Sequence, residues 1–225
     1  MFRSLAPVST ALIVAVGALS LTPRAGAGAA SAVSLPAPAT SLVASNAAAL
    51  DTAVFAGGCF WGIEAVFEHT RGVRSAVSGY TGGTTTSPSY EDVSSGTTGH
   101  AEAVRVVYDP SVVSYGQLLQ VFFSVAHDPT ELNRQGPDHG TQYRSAIFYR
   151  TKDQQRTAEA YVKQLSEAKI FHAPIVTQIA PATAFYLAEA YHQDYMVHHP
   201  DQAYIVYNDA PKVAHLKQQF PALYQ

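Results

Sequence analysis

Apolar positions along the chain alternate between short unbroken runs and helical spacings. Thr52–Gly57, TAVFAG, is a run bounded by glycine and predicts a short buried strand. From Cys59 to His69, Phe60, Ile63 and Phe67 recur at helical spacing and predict a helix. GVRSAVSGY then leads into TGGTTTSPSYEDVSSGTTGH, a long loop of the kind that is usually functional or mobile. AEAVRVVYDP predicts a strand ended by Asp109-Pro110. Ser114 and Gln117 have the spacing of a capping box for a helix through YGQLLQVFFSVAH, with Leu118, Phe122 and Val125 inward. A polar loop, DPTELNRQGPDHGTQYR, precedes the strand SAIFYR. Thr151 and Gln154 cap a helix to about Lys169, with Ala158, Tyr161, Leu165 and Ala168 inward. PIVTQIA predicts a further strand, and AFYLAEAYHQDYMVHH a helix at least from Leu187. Pro211 opens a last short helix with Val213, Leu216 and Phe220 inward. This order predicts an α/β domain, an α+β-like two-layer sandwich. Helices cover a mixed sheet, with a ferredoxin-like core and a coil-rich C-terminal tail.

The first fifty residues have a different texture. Arg3 gives a positive start, LIVAVGALSL (Leu12 to Leu21) is apolar, and RAGAGAASA offers several A-x-A sites between Ala25 and Ala32. That is the layout of a secretory signal peptide, and the apolar run is short for a membrane span. A retained anchor is the alternative. The expected organisation is a signal peptide over 1–30, a linker over 31–50 and a single catalytic domain over 51–225. The linker expectation rests on an Ala/Ser/Pro-rich stretch from about Ser34 to Asn46. The protein is expected to be exported, periplasmic or extracellular, a monomer, with no stable membrane span after cleavage.

Net charge is −3 with no basic run, so nucleic-acid binding has no electrostatic footprint. Many of the thirteen tyrosines are expected to be half-buried with their hydroxyls seeking partners. There is one cysteine, so no internal disulfide can form. It stands in Gly57–Gly62, GGCFWG, next but one to the only tryptophan. A core helix has no need of two glycines before it. A strand-to-helix turn that admits another molecule does. Cys59 would then lie in the first helical turn, where free N–H groups and the helix dipole favour a thiolate. Phe60 and Trp61 supply an apolar wall.

GGCFWGIEAVFEHTRGV, GYTGG, SPSYEDVSSGTTGHAEAVRVVYDP and RQGPDHGTQYRSAIFY occur in that order. Together they resemble the peptide methionine sulfoxide reductases of the A type, closely from about Val54 to Tyr149 and more loosely beyond. The resemblance implies reduction of the S epimer of methionine sulfoxide. It implies Cys59 as attacking thiolate, Glu102 as the acid on the sulfoxide oxygen, and Tyr90 and Tyr143 as assisting hydroxyls. Phe60 and Trp61 would hold the substrate methyl group, and Asp138 would order the site or contact the substrate backbone. An acid working near neutrality needs a raised pKa, which burial among aromatics supplies. The product on Cys59 is a sulfenic acid. Many members of the resembled family resolve it with further cysteines in a glycine-rich tail. This tail, HPDQAYIVYNDAPKVAHLKQQFPALYQ, has none, and serine stands at or near Ser94 where another cysteine often occurs. The resemblance therefore implies a one-cysteine enzyme with no bound cofactor. It would be re-reduced by an external thiol: a thioredoxin-like or glutaredoxin-like protein, or a low-molecular thiol. Tyr204 is a further pocket candidate from the tail, where the likeness is loose.

Three other readings compete. A cysteine hydrolase would need a histidine base, for which His100, His127 and His139 lie in loops. A zinc site could draw on His100 with Glu102, His127 with Asp128, Asp138 with His139, or His198 with His199. None has metalloprotease spacing, and no metal is expected. A redox sensor would need the thiol but not an oxygen-protonating acid.

Overall fold

The computed structural model describes Met1 and residues 33–39 and 49–225. The predicted signal peptide lies outside the described residues, apart from Met1. No helix among the described residues is long and apolar enough to cross a membrane.

The domain begins with β1 (Asp51–Ala56), α1 (Phe60–Glu68), β2 (Val73–Thr81), α2 (Tyr90–Ser94), β3 (Ala101–Tyr108) and α3 (Tyr115–Val121). It continues with β4 (Arg134–Gln135), β5 (Asp138–His139), β6 (Ala146–Tyr149), α4 (Lys152–Glu167) and β7 (Gln178–Pro181). Last come β8 (Tyr186–Leu187), α5 (Tyr195–His198) and α6 (Ala210–Gln219). The main sheet has the order β7-β6-β1-β3-β2-β8, antiparallel except where β6 meets β7. Its centre, β6-β1-β3-β2, with α1 after β1 and α3 after β3, is the ferredoxin-like arrangement expected from the sequence. The helices pack on one face and bury Phe55 between Phe67 and Phe122, with ring centroids 5.1 and 4.9 Å away. Each such fully buried side chain contributes about 1.5–3 kcal/mol.

Strand alternation decides what faces the helices. In β3, Val104 and Val106 join the helix-side core while Ala101 and Ala103 join the small cluster on the opposite face with Phe148. Glu102 has the parity of Val104 and Val106, so it is carried beneath α1. Its cross-strand partner on β2 is Tyr80.

Local signals set the helix starts. Ser89 and Ser114 each accept a bond from the N3 backbone amide in a reciprocal capping box, Ser114 with Gln117 as expected. Thr151 caps α4 through the Gln154 amide, but the Gln154 side chain turns away to Arg150 N and Thr52 O. Ala158, Tyr161 and Leu165 are buried as expected, whereas Ala168 is the exposed C-cap. The helix predicted through His127 is α only to Val121. It continues as a π-helical turn over Phe122–Ala126.

Three expectations are corrected. Residues 73–81 form a strand, β2, missed because Arg74, Ser75, Ser78 and Gly79 break the apolar pattern. The helix expected from Leu187 is instead a short strand, a 3-10 turn and the single turn of α5. Gln193 is the cause: its side-chain amide bonds both N and O of Ser78 on β2, and Asp194 takes a left-handed φ of 51°. Finally, residues 33–39, expected within a loose linker, are docked. Leu35 is buried, Gln120 Nε2 donates to Leu35 O, Tyr161 OH to Pro36 O, and Gln164 Nε2 to Ala37 O. Those side chains reach from α3 and α4 and replace water on an otherwise unpaired backbone. Leu35→Ala should therefore lower unfolding stability by about 2 kcal/mol or more. This would be read as a lower urea midpoint at unchanged slope.

Candidate active site

Cys59 is the N-cap of α1, one residue before the helix proper, with φ −56° and ψ 128°. The glycines before it have separate reasons. Gly58 has φ +100°, and a Cβ there would lie 2.6 Å from Gln135 Cγ. Gln135 cannot yield, since its amide pairs with both N and O of Asp128. At Gly57 the obstacle is the His127 ring, 2.8 Å from a Cβ. His127 Nδ1 faces Phe122 O at 3.1 Å, a carbonyl that can only accept, so the proton sits on Nδ1. Nε2 then accepts from Ser145 Oγ at 2.8 Å. Burial pushes this histidine down to about 4 and keeps it neutral.

The thiol is enclosed, with Cys59 8% exposed. Burial raises its pKa well above the ordinary thiol value, and the charges of Glu102 and Asp209 add to this. The Trp61 backbone N–H opposes the rise. The helix start therefore does not leave a resting thiolate, as the sequence suggested, because loss of water outweighs the dipole. Glu102, 2% exposed, accepts from Phe60 N at 3.1 Å. Burial pushes its carboxyl up to about 8; the Phe60 amide lowers it, and Asp138 and Asp209 raise it. At neutral pH Glu102 is predominantly protonated.

The other predicted residues converge here. Tyr90 starts α2, its amide held by Glu189 Oε1 at 2.8 Å, and Tyr143 ends the 3-10 turn over Thr141–Tyr143. Burial and the charges of Glu102, Asp138 and Cys59 raise both phenols, so both remain O–H donors. Phe60 and Trp61 stand 6.5 Å apart, centroid to centroid. Trp61 is fixed by a 3.7 Å stack on Tyr195 and by donating Nε1–H to His192 Nδ1 at 3.1 Å. Asp138, on β5, accepts from the Tyr204 hydroxyl. Burial raises its carboxyl pKa, and the Tyr204 bond and Lys212 lower it.

Four further residues pack around the site, and of these the sequence offered only Tyr204. Tyr204 stands edge-on to Trp61 at 5.8 Å. His192 packs on Phe60 at 5.1 Å and Tyr90 at 4.5 Å. Asp209 and Lys212 lie under α1. All come from the tail, where His192, Asp209 and Lys212 carry no local sequence signal.

Of the three candidate hydrolase bases two are already engaged, and His139 lies exposed on β5. His100 accepts from Gly83 N and faces Thr85 O, and His127 is committed to Phe122 and Ser145, so neither is free to act as a hydrolase base. Among the described residues no group of three His, Cys, Asp or Glu side chains is placed to hold a metal.

A lone thiol facing a protonated carboxylic acid and two phenols, beside an aromatic wall, can accept a small polar oxygen and take it onto sulfur. Fold and site thus define a thiol-dependent oxidoreductase. The family model for peptide methionine sulfoxide reductase matches residues 51–223. A peptide methionine sulfoxide reductase MsrA 2 of Mesorhizobium japonicum is 61% identical over 174 residues, 77% of this chain and 89% of that protein. The MsrA of Deinococcus radiodurans is 53% identical over 77% of this chain and 84% of its own. Among solved structures, reduced Mxr1 of Saccharomyces cerevisiae matches with TM-score 0.64 and 34% identity, covering 69% of this chain and 89% of that one. Methionine sulfoxide reductase A of Corynebacterium diphtheriae matches with TM-score 0.58 and 34% identity, over 77% and 86%. The chain belongs to the peptide methionine sulfoxide reductase family, A type, and reduces methionine sulfoxide to methionine.

Gly58→Ala should destabilise the protein by about 1–3 kcal/mol. It combines a positive φ with a clash against a pinned side chain, and a thermal melt would read the loss.

Proposed function

We propose that this enzyme is a one-cysteine reductase of the S epimer of methionine sulfoxide, free or peptide-bound, that borrows its reductant from outside. The observation that carries the residue roles is the enclosed Cys59 beside a Glu102 carboxyl held protonated to about pH 8. The sulfoxide methyl rests against Phe60 and Trp61, and the oxygen accepts hydrogen bonds from Glu102, Tyr90 and Tyr143. As Glu102 gives its proton to the oxygen, the sulfoxide sulfur becomes electrophilic; the Cys59 sulfur attacks it, forming an S–S bond, and the Cys59 thiol proton returns to Glu102. A second proton from Glu102 lets the oxygen leave as water, breaking the S–O bond. Water then attacks the Cys59 sulfur, the S–S bond breaks with the thioether departing, and the released proton restores Glu102, so sulfoxide plus thiol becomes thioether plus sulfenic acid. One external thiol condenses with the sulfenic acid, releasing water and leaving a mixed disulfide. A second thiol releases Cys59 as a free thiol and departs as the disulfide.

The sequence has no second cysteine to intercept the sulfenic acid, so both reducing thiols belong to the partner. A thioredoxin-like or glutaredoxin-like protein or a low-molecular thiol fits that chemistry. The N-terminal signal pattern supports an exported enzyme repairing oxidised proteins outside the cytosol. Asp138, tied to Tyr204, would order the pocket or hold the substrate backbone, a role its bond to Tyr204 supports.

Without reductant, one turnover should yield one methionine and one dimedone-trapped sulfenic acid per chain by mass spectrometry. Cys59→Ser should yield neither. No conversion of the S epimer by the reduced wild type would favour a redox sensor instead.

The pH dependence follows from Glu102. Its acid form is present below about 8 and is lost as pH rises through that value, so single-turnover rates should fall on the alkaline side. Glu102→Gln should cost about 10²-fold or more in rate and remove that alkaline limb. Stopped-flow tryptophan fluorescence across the pH range tests both.

A further inference from the structure

The tail places a buried ion pair under the catalytic helix. Asp209 is fully buried and Lys212 is 5% exposed; Lys212 Nζ donates to Asp209 Oδ1 at 3.0 Å. Lys212 is the only lysine or arginine that is buried among the described residues. Both groups press on Gly62, where a Cβ would lie 2.2 Å from Asp209 Oδ1 and 2.8 Å from Lys212 Nζ. Gly62 follows Cys59 by three positions, so the pair sits on the Cys59 face of α1, one turn along.

Stability does not account for such a pair. A buried ion pair can often be replaced by apolar side chains at no loss, because desolvation consumes the Coulomb gain. Here Asp209 Oδ2 is also left without a hydrogen-bond partner. The surroundings suggest another use. Around Cys59 the other charged or titratable groups are acidic: Glu102 from β3, Asp138 from β5, and the phenols of Tyr90, Tyr143 and Tyr204. His127, behind Gly57, is neutral. His192 flanks Phe60, and His215 lies one turn beyond Lys212 on α6. The charge of Asp209 reaches Cys59, Glu102 and Tyr204, and that of Lys212 reaches Asp209, Asp138 and His127.

We propose that Lys212 is a positioning residue of the reductase site: paired with Asp209 beneath Gly62, its ammonium offsets the carboxylate charge behind Cys59 and so allows the thiol to ionise when substrate arrives. This rests on Cys59 being the nucleophile. Lys212 touches neither substrate nor sulfur and acts through Asp209.

The test exploits the single thiol, whose alkylation by iodoacetamide can be followed against pH without ambiguity in the full chain. Lys212→Met removes the ammonium, so that at the alkaline pH where Cys59 ionises the Asp209 carboxylate stands unopposed. It should move the alkylation midpoint up by about one pH unit and slow single turnover at neutral pH about tenfold, with little change in substrate KM. Lys212→Arg should restore both. Asp209→Asn, which leaves the ammonium unopposed, should move the midpoint down. Should Lys212→Met fail to fold, the Asp209→Asn midpoint decides alone. An unmoved or raised midpoint in Asp209→Asn, or an unmoved one in a folded Lys212→Met, would overturn the role of the pair. Sulfoxide reduction surviving in Cys59→Ser would instead overturn the nucleophile assignment, so the two failures are distinct.

Discussion

The hydrogen bond from the Phe60 amide to the Glu102 carboxyl ties the site to the fold. It joins the first free N–H of α1 to a side chain on the central strand β3 and closes the gap between helix start and sheet. One contact thereby answers an unpaired helix donor, fixes the acid next to the thiol, and seals both from water. Because the carboxyl is sealed, it holds its proton to about 8; because the thiol is sealed, it does not ionise at rest. The Cys59 thiol and the Glu102 carboxyl are therefore both uncharged at rest, and a substrate oxygen meets hydrogen-bond donors already in place.

The glycines of the thiol motif serve the same closure. Each leaves room for a side chain from another element: His127 at Gly57, Gln135 at Gly58, and Asp209 with Lys212 at Gly62. His127 is delivered by the π-helical turn after α3, and its Nδ1–H binds the Phe122 carbonyl within that turn. The irregularity at the end of α3 is thus coupled to the geometry of the strand-to-helix turn. The tail closes the far side, where Tyr204, His192 and Tyr195 hold the Trp61 ring from three directions.

The tail packs against the domain, with Gln193 inserted at the edge of β2 and α6 packed on α1. The strap of residues 33–39 does the same on the opposite flank by lending its backbone to Gln120, Tyr161 and Gln164.

The sequence by itself determined the elements whose signals are local. The apolar run of β1, the spacing of Phe60, Ile63 and Phe67, and the box at Ser114 and Gln117 needed no partner to be read. The motif carrying Cys59, Glu102, Tyr90 and Tyr143 was legible because each stretch resembles a known family. What only the tertiary structure decided depends on contacts distant in sequence. The strand β2 alternates poorly because both its neighbours and the tail cover it. The helix promised after Leu187 is broken because Gln193 finds better partners on Ser78 than its own turn would supply. The protonation of Glu102 and Cys59 follows from burial, which no spacing encodes. The burial of Lys212 beneath Gly62 is decided by where α6 comes to rest, because an ion pair enters a core only where packing and a missing side chain leave space for it.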